Sequence, residues 1–313
     1  MEIKDTIKLF VQARTADGRA PRTILDYYRV LDPFCDWIAE QPQRQVLTRD
    51  VTREYVAHLR SKNWREGTVA IHVRNLRTFL RWMHDEGHIA DNLAASVKAP
   101  RQVRRIEIPT TWEEVQLLLD TCQEDGFHAA RDRALILTLY DAGPRCGELV
   151  RLKAGDWRHE PGNTGSYLLV YAPKTKTDRF VVLGQTATES MTAFMALRGK
   201  TRSDDPLFCH VDGHPIKEKC VEAMLLRRAD KVGLERCRVH PHIWRKAFAT
   251  AFVDNGGDAE RLRVFMGWSS TEMTVVYVDS SLAVTGDAPA RRAGGSHNVA
   301  KWEDDGIIFT VEA

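Results

Sequence analysis

The chain has 313 residues, 43% of them hydrophobic and 28% charged, with a formal net charge of +2. These values belong to a globular protein with room for two domains and a sizeable core, and they exclude a disordered or collagen-like chain. There is no run of about 18 apolar residues of the kind that spans a bilayer, and the opening MEIKDTIKLF lacks signal-peptide anatomy, so a cytoplasmic location is expected. The six cysteines are scattered and never form a C-x-x-C pair. That spacing predicts neither a disulfide framework nor a structural zinc site.

Charge is unevenly spread. Through Ile108 there are 19 Lys and Arg against 14 Asp and Glu, and beyond it 26 against 29. The first hundred residues read as helices. In RTILDYYRVLDPFCDWI, the residues Ile24, Tyr28, Leu31, Cys35 and Ile38 recur at steps of four and three, which predicts one buried face. Val69, Val73, Leu76, Leu80 and Met83 repeat the pattern, with Arg74, Arg77 and Arg81 as a basic stripe on another face. By itself such a stripe is an ordinary solvated surface.

The segment VKAPRQVRRIEIPT, with two prolines and little helical period, reads as a basic linker. Thr111 and Glu114 then form a capping-box signature for a new helix. RDRALILTLYDAG reads as a buried helix ending near Gly143. SYLLVYA and RFVVL read as a hairpin around PKTKTD. Helices are expected at about Ala187–Leu197, Ile216–Lys231, His242–Asn255 and Ala259–Met266. A short helix should carry TEMTVVYV, and DGIIFTVEA reads as a closing strand.

Five features in this half suggest chemistry. His242 and Arg245 lie three apart on one side of a helix, beside an apolar stripe of Trp244, Phe248 and Phe252. Arg145 follows a Gly-Pro break at a helix start, where a positive charge is unfavourable unless an anion sits there. Lys174 and Lys176 lie on the hairpin turn, Trp268 follows Gly267 at a sharp turn, and Tyr277 lies nine residues on. Taken singly each has a bland reading: Arg145 pairs with Glu148, Trp268 is core, and Tyr277 belongs to an amphipathic helix.

Together and in this order they resemble the tyrosine recombinase (phage integrase) family. The pattern Gly143-Pro144-Arg145-Cys146-Gly147-Glu148-Leu149 is similar to the family's Gly-x-Arg-x-x-Glu-Leu. KTKTDRFVVLG aligns with its lysine hairpin, His242 and Arg245 with its His-x-x-Arg pair, and Met266-Gly267-Trp268-Ser269-Ser270 with its Leu-Gly-His-Ser-Ser. Three departures stand out: Trp268 takes the place of histidine, Lys246 follows Arg245, and the hairpin turn lacks the usual glycines, which leaves Lys176 a rival to Lys174.

The resemblance implies a mainly α fold with a small antiparallel β-sheet, in an Xer-like two-domain layout closing as a C-shaped DNA clamp. It implies a helical, SAM-like core-binding domain over residues 1–97, a linker over 98–109, a catalytic domain over 110–280 and a tail over 281–313 that docks on its own domain or on a neighbour. It further implies site-specific recombination through a covalent 3′-phosphotyrosine, with no metal and no cofactor, by a homotetramer on paired double-stranded DNA sites. Arg145 and Arg245 would bind the phosphate, Tyr277 would attack it, His242 would be the base, Lys174 the acid, and Trp268 a donor to a phosphate oxygen. DNA contacts would come from Arg22, Arg74, Arg77, Arg81, Lys176, Lys217 and Lys219. A type IB topoisomerase shares this chemistry, and a DNA-binding regulator without catalysis is the alternative of another class.

Overall fold

The computed structural model describes residues 2–40, 42–44, 46–100, 108–123, 126–160, 163, 165–172, 177–268 and 270, and the strand residues 301–303 and 306–308. The chain divides into two compact units, one through Arg105 and one from Ile106.

The first unit is helical: α1 Ile3–Ala16, α2 Pro21–Ala39, α3 Arg49–Ser61 and α4 Glu66–Asp85. Pro21 starts α2 where its missing N–H costs nothing, and the Thr48 hydroxyl caps α3 by accepting from the Val51 N–H at 3.2 Å. The core centres on Phe10, whose ring lies 4.8 Å from Tyr27 and 5.4 Å from both Phe79 and Trp82. On α4 all five residues of the predicted stripe are buried. On α2 the buried face is offset from the predicted one: Tyr27, Val30, Leu31, Phe34, Trp37 and Ile38 face inward, while Tyr28 is exposed. The cause is local, because only Tyr27 of the Tyr27–Tyr28 pair reaches Phe10.

The second unit opens on α5 Trp112–Asp120, where the Thr111–Glu114 capping box forms as the sequence suggests. Then come α6 Phe127–Ala142, the single-turn α7 Cys146–Leu149, and a sheet of β1 Trp157–Arg158, β2 Ser166–Ala172 and β3 Thr177–Leu183. The sheet is antiparallel in the order β1-β2-β3, with Val170 opposite Arg179. The two-residue β1 is absent from the sequence reading, being too short to carry a period. Helices α8 Gln185–Arg198, α9 Glu218–Val232, α10 Pro241–Asp254 and α11 Ala259–Met266 follow. Strands β4 Lys301–Glu303 and β5 Gly306–Ile308 pair as a hairpin near the chain end. Among the described residues no helix is long and apolar enough to cross a membrane.

Helix α6 is buried along nearly its whole length and forms the spine of this unit. It buries charge too. Asp132 accepts from Arg131 at 2.8 Å and from Arg228 of α9 at 2.6 Å, and Arg228 also donates to the Thr121 carbonyl at 2.6 Å. Removing the carboxylate strands two guanidiniums in the interior. Asp132→Ala should therefore cost about 3–5 kcal/mol in urea unfolding, well beyond the loss of an exposed ion pair such as Lys8–Asp5.

Candidate active site

The site is built where α6 stops. Gly143 ends that helix in the left-handed region at φ 55°, and a Cβ there would lie 2.9 Å from the Phe248 Cβ. Only glycine meets both demands. The freed Gly143 carbonyl accepts from Arg245 Nη1 at 2.7 Å. Pro144 turns the chain, and Arg145 enters α7 with an extended backbone. The anion expected beside this arginine is Glu148, one turn on. Its carboxylate accepts from the Arg145 backbone N–H at 2.9 Å and from Arg145 Nη1 at 2.8 Å. The bland reading of Arg145 is thus correct as geometry, but it is incomplete. Arg145 Nη2 also reaches the Gly267 carbonyl at 3.4 Å, and its side chain is 37% exposed.

Glu148 has a second cation. Arg179 of β3 donates to its two oxygens at 3.3 and 2.6 Å and, through Nε, to the Phe265 carbonyl at 2.8 Å. Burial alone would raise the Glu148 carboxyl. The bonds from Arg179 and Arg145 outweigh it and hold the group below the usual carboxylate range.

Arg245 is 4% exposed. Besides Gly143 it donates to the Met266 carbonyl, and its guanidinium carbon lies 5.7 Å from the centre of the Trp268 ring, within cation–π range. Trp268 is itself buried in a small core with Ala249, Phe252, Leu262 and Met266. Arg263 Nη1 donates to the Trp268 carbonyl and the Trp268 N–H to the Arg263 carbonyl, both at 3.0 Å. Trp268 therefore belongs to core and site at once.

His242 sits one turn before Arg245 at the exposed start of α10, its backbone N–H on His240 Nδ1 at 3.2 Å. The expected single stripe on α10 is divided. Phe248 and Phe252 join the Trp268 cluster, whereas Trp244 is buried in the main core against Tyr140. Lys217 and Lys219 are exposed at the first turn of α9, and that end of α9 abuts α7, with Cys146 Sγ 4.0 Å from the Glu218 carbonyl. Arg22, Arg74 and Arg81 are exposed and Arg77 half-buried, all in the first unit. Lys174, Lys176 and Tyr277, with the helix expected over TEMTVVYV, lie outside the described residues.

Two neighbouring groups make poor nucleophiles. Burial lifts the Cys146 thiol to about 12, aided by Glu218 and Glu222, and burial with Glu113 and Asp141 nearby lifts the Tyr140 phenol to about 12. The sequence motifs include Glu148, in the Gly-x-Arg-x-x-Glu-Leu pattern, and Arg179, in the hairpin run, but give neither a role in the site. A signal for Arg179 was present: it is in phase with the buried Val181 and Leu183 of β3, which is no place for an idle charge.

The sequence also has relatives. Residues 110–283 match the phage integrase family, and residues 7–88 match the phage integrase N-terminal SAM-like domain. The chain belongs to the phage integrase family. It is 28% identical to tyrosine recombinase XerC of Pelotomaculum thermopropionicum over 93% of this chain and 97% of that one. It is 29% identical to tyrosine recombinase XerC of Salmonella typhi over 82% of this chain and 85% of that one. A lambda integrase tetramer bound to a Holliday junction shares its fold, with a TM-score of 0.70 and 17% identity over 88% of this chain and 77% of that one.

Asp141 is unlike the rest of the site, because burial lifts its carboxyl from 3.8 to about 7, against the Gly184 N–H that favours its anion. A raised carboxyl contributes stability that is complete below the unfolded value and is lost as pH rises through the folded one. Between pH 4 and pH 7 the wild type should lose up to roughly 1.4 kcal/mol per pH unit through this group. Asp141→Asn should remove that slope in thermal melts, so that the two proteins converge near pH 4 and the variant is the more stable at pH 7.5.

Proposed function

We propose that the chain is a site-specific DNA recombinase that cuts and rejoins DNA through a covalent 3′-phosphotyrosine. One observation carries the reading: Arg145 and Arg245, from separate elements, donate to the adjacent carbonyls of Gly267 and Met266. Two guanidiniums so close, beside a buried tryptophan, form a receptor for one tetrahedral anion.

Phosphoryl transfer spreads negative charge over the equatorial oxygens while the attacking and leaving oxygens stay in line. Arg145 and Arg245 take those oxygens, in the forked geometry that lysine lacks. Tyr277 attacks phosphorus. A phenol with a pKa near 10 is about one part in a thousand ionised at pH 7, so it needs neighbouring cations and a base, and His242 supplies the base. Lys174 protonates the leaving 5′-oxygen, with Lys176 as its rival. Trp268 stacks beneath Arg245. The phosphotyrosine keeps the bond energy, so a second DNA end reverses the step without ATP.

Residues 1–97 grip the duplex through Arg22, Arg74, Arg77 and Arg81, residues 98–109 follow the backbone, residues 110–280 carry the chemistry, and residues 281–313 dock on a catalytic domain. Lys217 and Lys219 extend the phosphate contacts. The tetramer on a Holliday junction is the relevant assembly by analogy with lambda integrase, and the protein acts on DNA in the cytoplasm.

Covalent capture of DNA from a random library, followed by sequencing, names the site. On a nicked suicide substrate of that sequence, Tyr277→Phe should form no adduct, and Arg245→Ala should form it about 10²–10³-fold more slowly. Relaxation of supercoiled plasmid lacking the site would favour a topoisomerase, and absence of any adduct would favour a regulator. Arg74→Ala and Arg81→Ala should each reduce the slope of log affinity against log salt by about 1, read by fluorescence anisotropy across a salt series.

A further inference from the structure

Strand β3 turns Phe180 outward, 59% exposed, and turns Arg179 inward, 7% exposed, into the row of Val181 and Leu183. A guanidinium in such a row is costly unless its N–H groups are bonded. Here Nη1 and Nη2 take the Glu148 carboxylate at 3.3 and 2.6 Å, and Nε takes the Phe265 carbonyl at 2.8 Å. The same carboxylate serves Arg145. Its Oε1 is shared between the two arginines and its Oε2 between Arg179 and the Arg145 backbone.

The arithmetic of charge gives this sharing a purpose. Arg145 and Glu148 alone are a neutral pair and attract a phosphate weakly. A second guanidinium on Glu148, placed on its buried side, returns a net positive charge to the group. The two cations differ in access, with side chains 37% exposed for Arg145 and 6% for Arg179. Only the first is open to a ligand. The Phe265 bond adds a mechanical tie, because it joins strand β3 to the helix end that precedes Trp268. Gly267 keeps room for that tie, since a Cβ there would lie 3.2 Å from Arg179 Nη1.

We propose that Arg179 is a positioning residue for strand cleavage: it takes up the charge of Glu148, so that Arg145 keeps its own for the scissile phosphate, and it locks β3 to the end of α11. This rests on reading the site as a recombinase centre.

The test measures adduct formation on the suicide substrate by R179M, E148Q and the double variant, with binding of the same DNA measured in parallel. R179M should slow the adduct about 30–100-fold, with affinity changed by less than about threefold. In the double variant the uncompensated carboxylate is gone, and the rate should recover about tenfold over R179M, a non-additivity that a purely structural role does not produce. Wild-type rates for R179M, or losses that simply add in the double variant, would overturn the inference. Should R179M not fold, R179K decides, because lysine restores the charge without reaching the Phe265 carbonyl. It should cleave within about tenfold of wild type, the remaining loss being the fork that lysine lacks, and a loss as deep as the 10²–10³-fold expected of Arg245→Ala would sink the charge argument. A wild-type protein that forms no Tyr277-dependent adduct removes the recombinase reading itself, a different result seen before any Arg179 variant is compared.

Discussion

The negative end of one short helix decides where the cations of this site stand. The last carbonyls of a helix have no partner within it and carry the negative pole of its dipole. At the end of α11 three of them, from Phe265, Met266 and Gly267, accept from Arg179, Arg245 and Arg145 respectively. These arginines arrive from β3, from α10 and from the turn before α7, so three separate elements are pinned to one point. Hydrogen bonds to charged groups contribute about 1.5–3 kcal/mol each, and the Glu148 carboxylate adds a counter-charge to two of the three guanidiniums, Arg145 and Arg179. A cradle held in this way is in place before an anion arrives, which is the condition for electrostatic stabilisation of a transition state without reorganisation.

Two glycines make the arrangement sterically feasible. Gly143 and Gly267 both end helices in the left-handed region, at φ 55° and 59°. Each turns its carbonyl toward an arginine of the cradle, Gly143 to Arg245 and Gly267 to Arg145. Each is also crowded where a Cβ would stand, by Phe248 and by Arg179. Backbone and packing thus make the same demand, so substitution at either position acts on the cradle before it acts on the fold at large.

What the sequence disclosed follows from the range of each interaction. Helices α10 and α11 were legible because periodicity and caps are local, and α11 has the limits Ala259–Met266 that were read for it. Arg145 with Glu148, and His242 with Arg245, were legible because three residues is one turn. The partners of Arg179 were not, since they lie 31 and 86 residues away. The division of α10, with Trp244 turned to one core and Phe252 to another, escaped the same way: a helical wheel gives spacing around an axis, not which of two cores each side meets. Tyr28 is exposed while its neighbour Tyr27 takes the place against Phe10, a fact of packing and not of period.

Trp268 shows why site and fold cannot be separated here. Its ring packs with Phe252, Leu262 and Met266, and its backbone is held from both sides by Arg263. The chain therefore leaves the cradle from a fixed point. Tyr277 lies nine residues after Trp268, and a fully extended chain covers at most about 3.3–3.6 Å per residue. The phenol is tethered within roughly 30 Å of that point, or within roughly 14 Å if the tether were helical at 1.5 Å per residue. On the proposed reading, the cradle would hold the phosphate and Tyr277 would have to reach it from the point that Trp268 fixes.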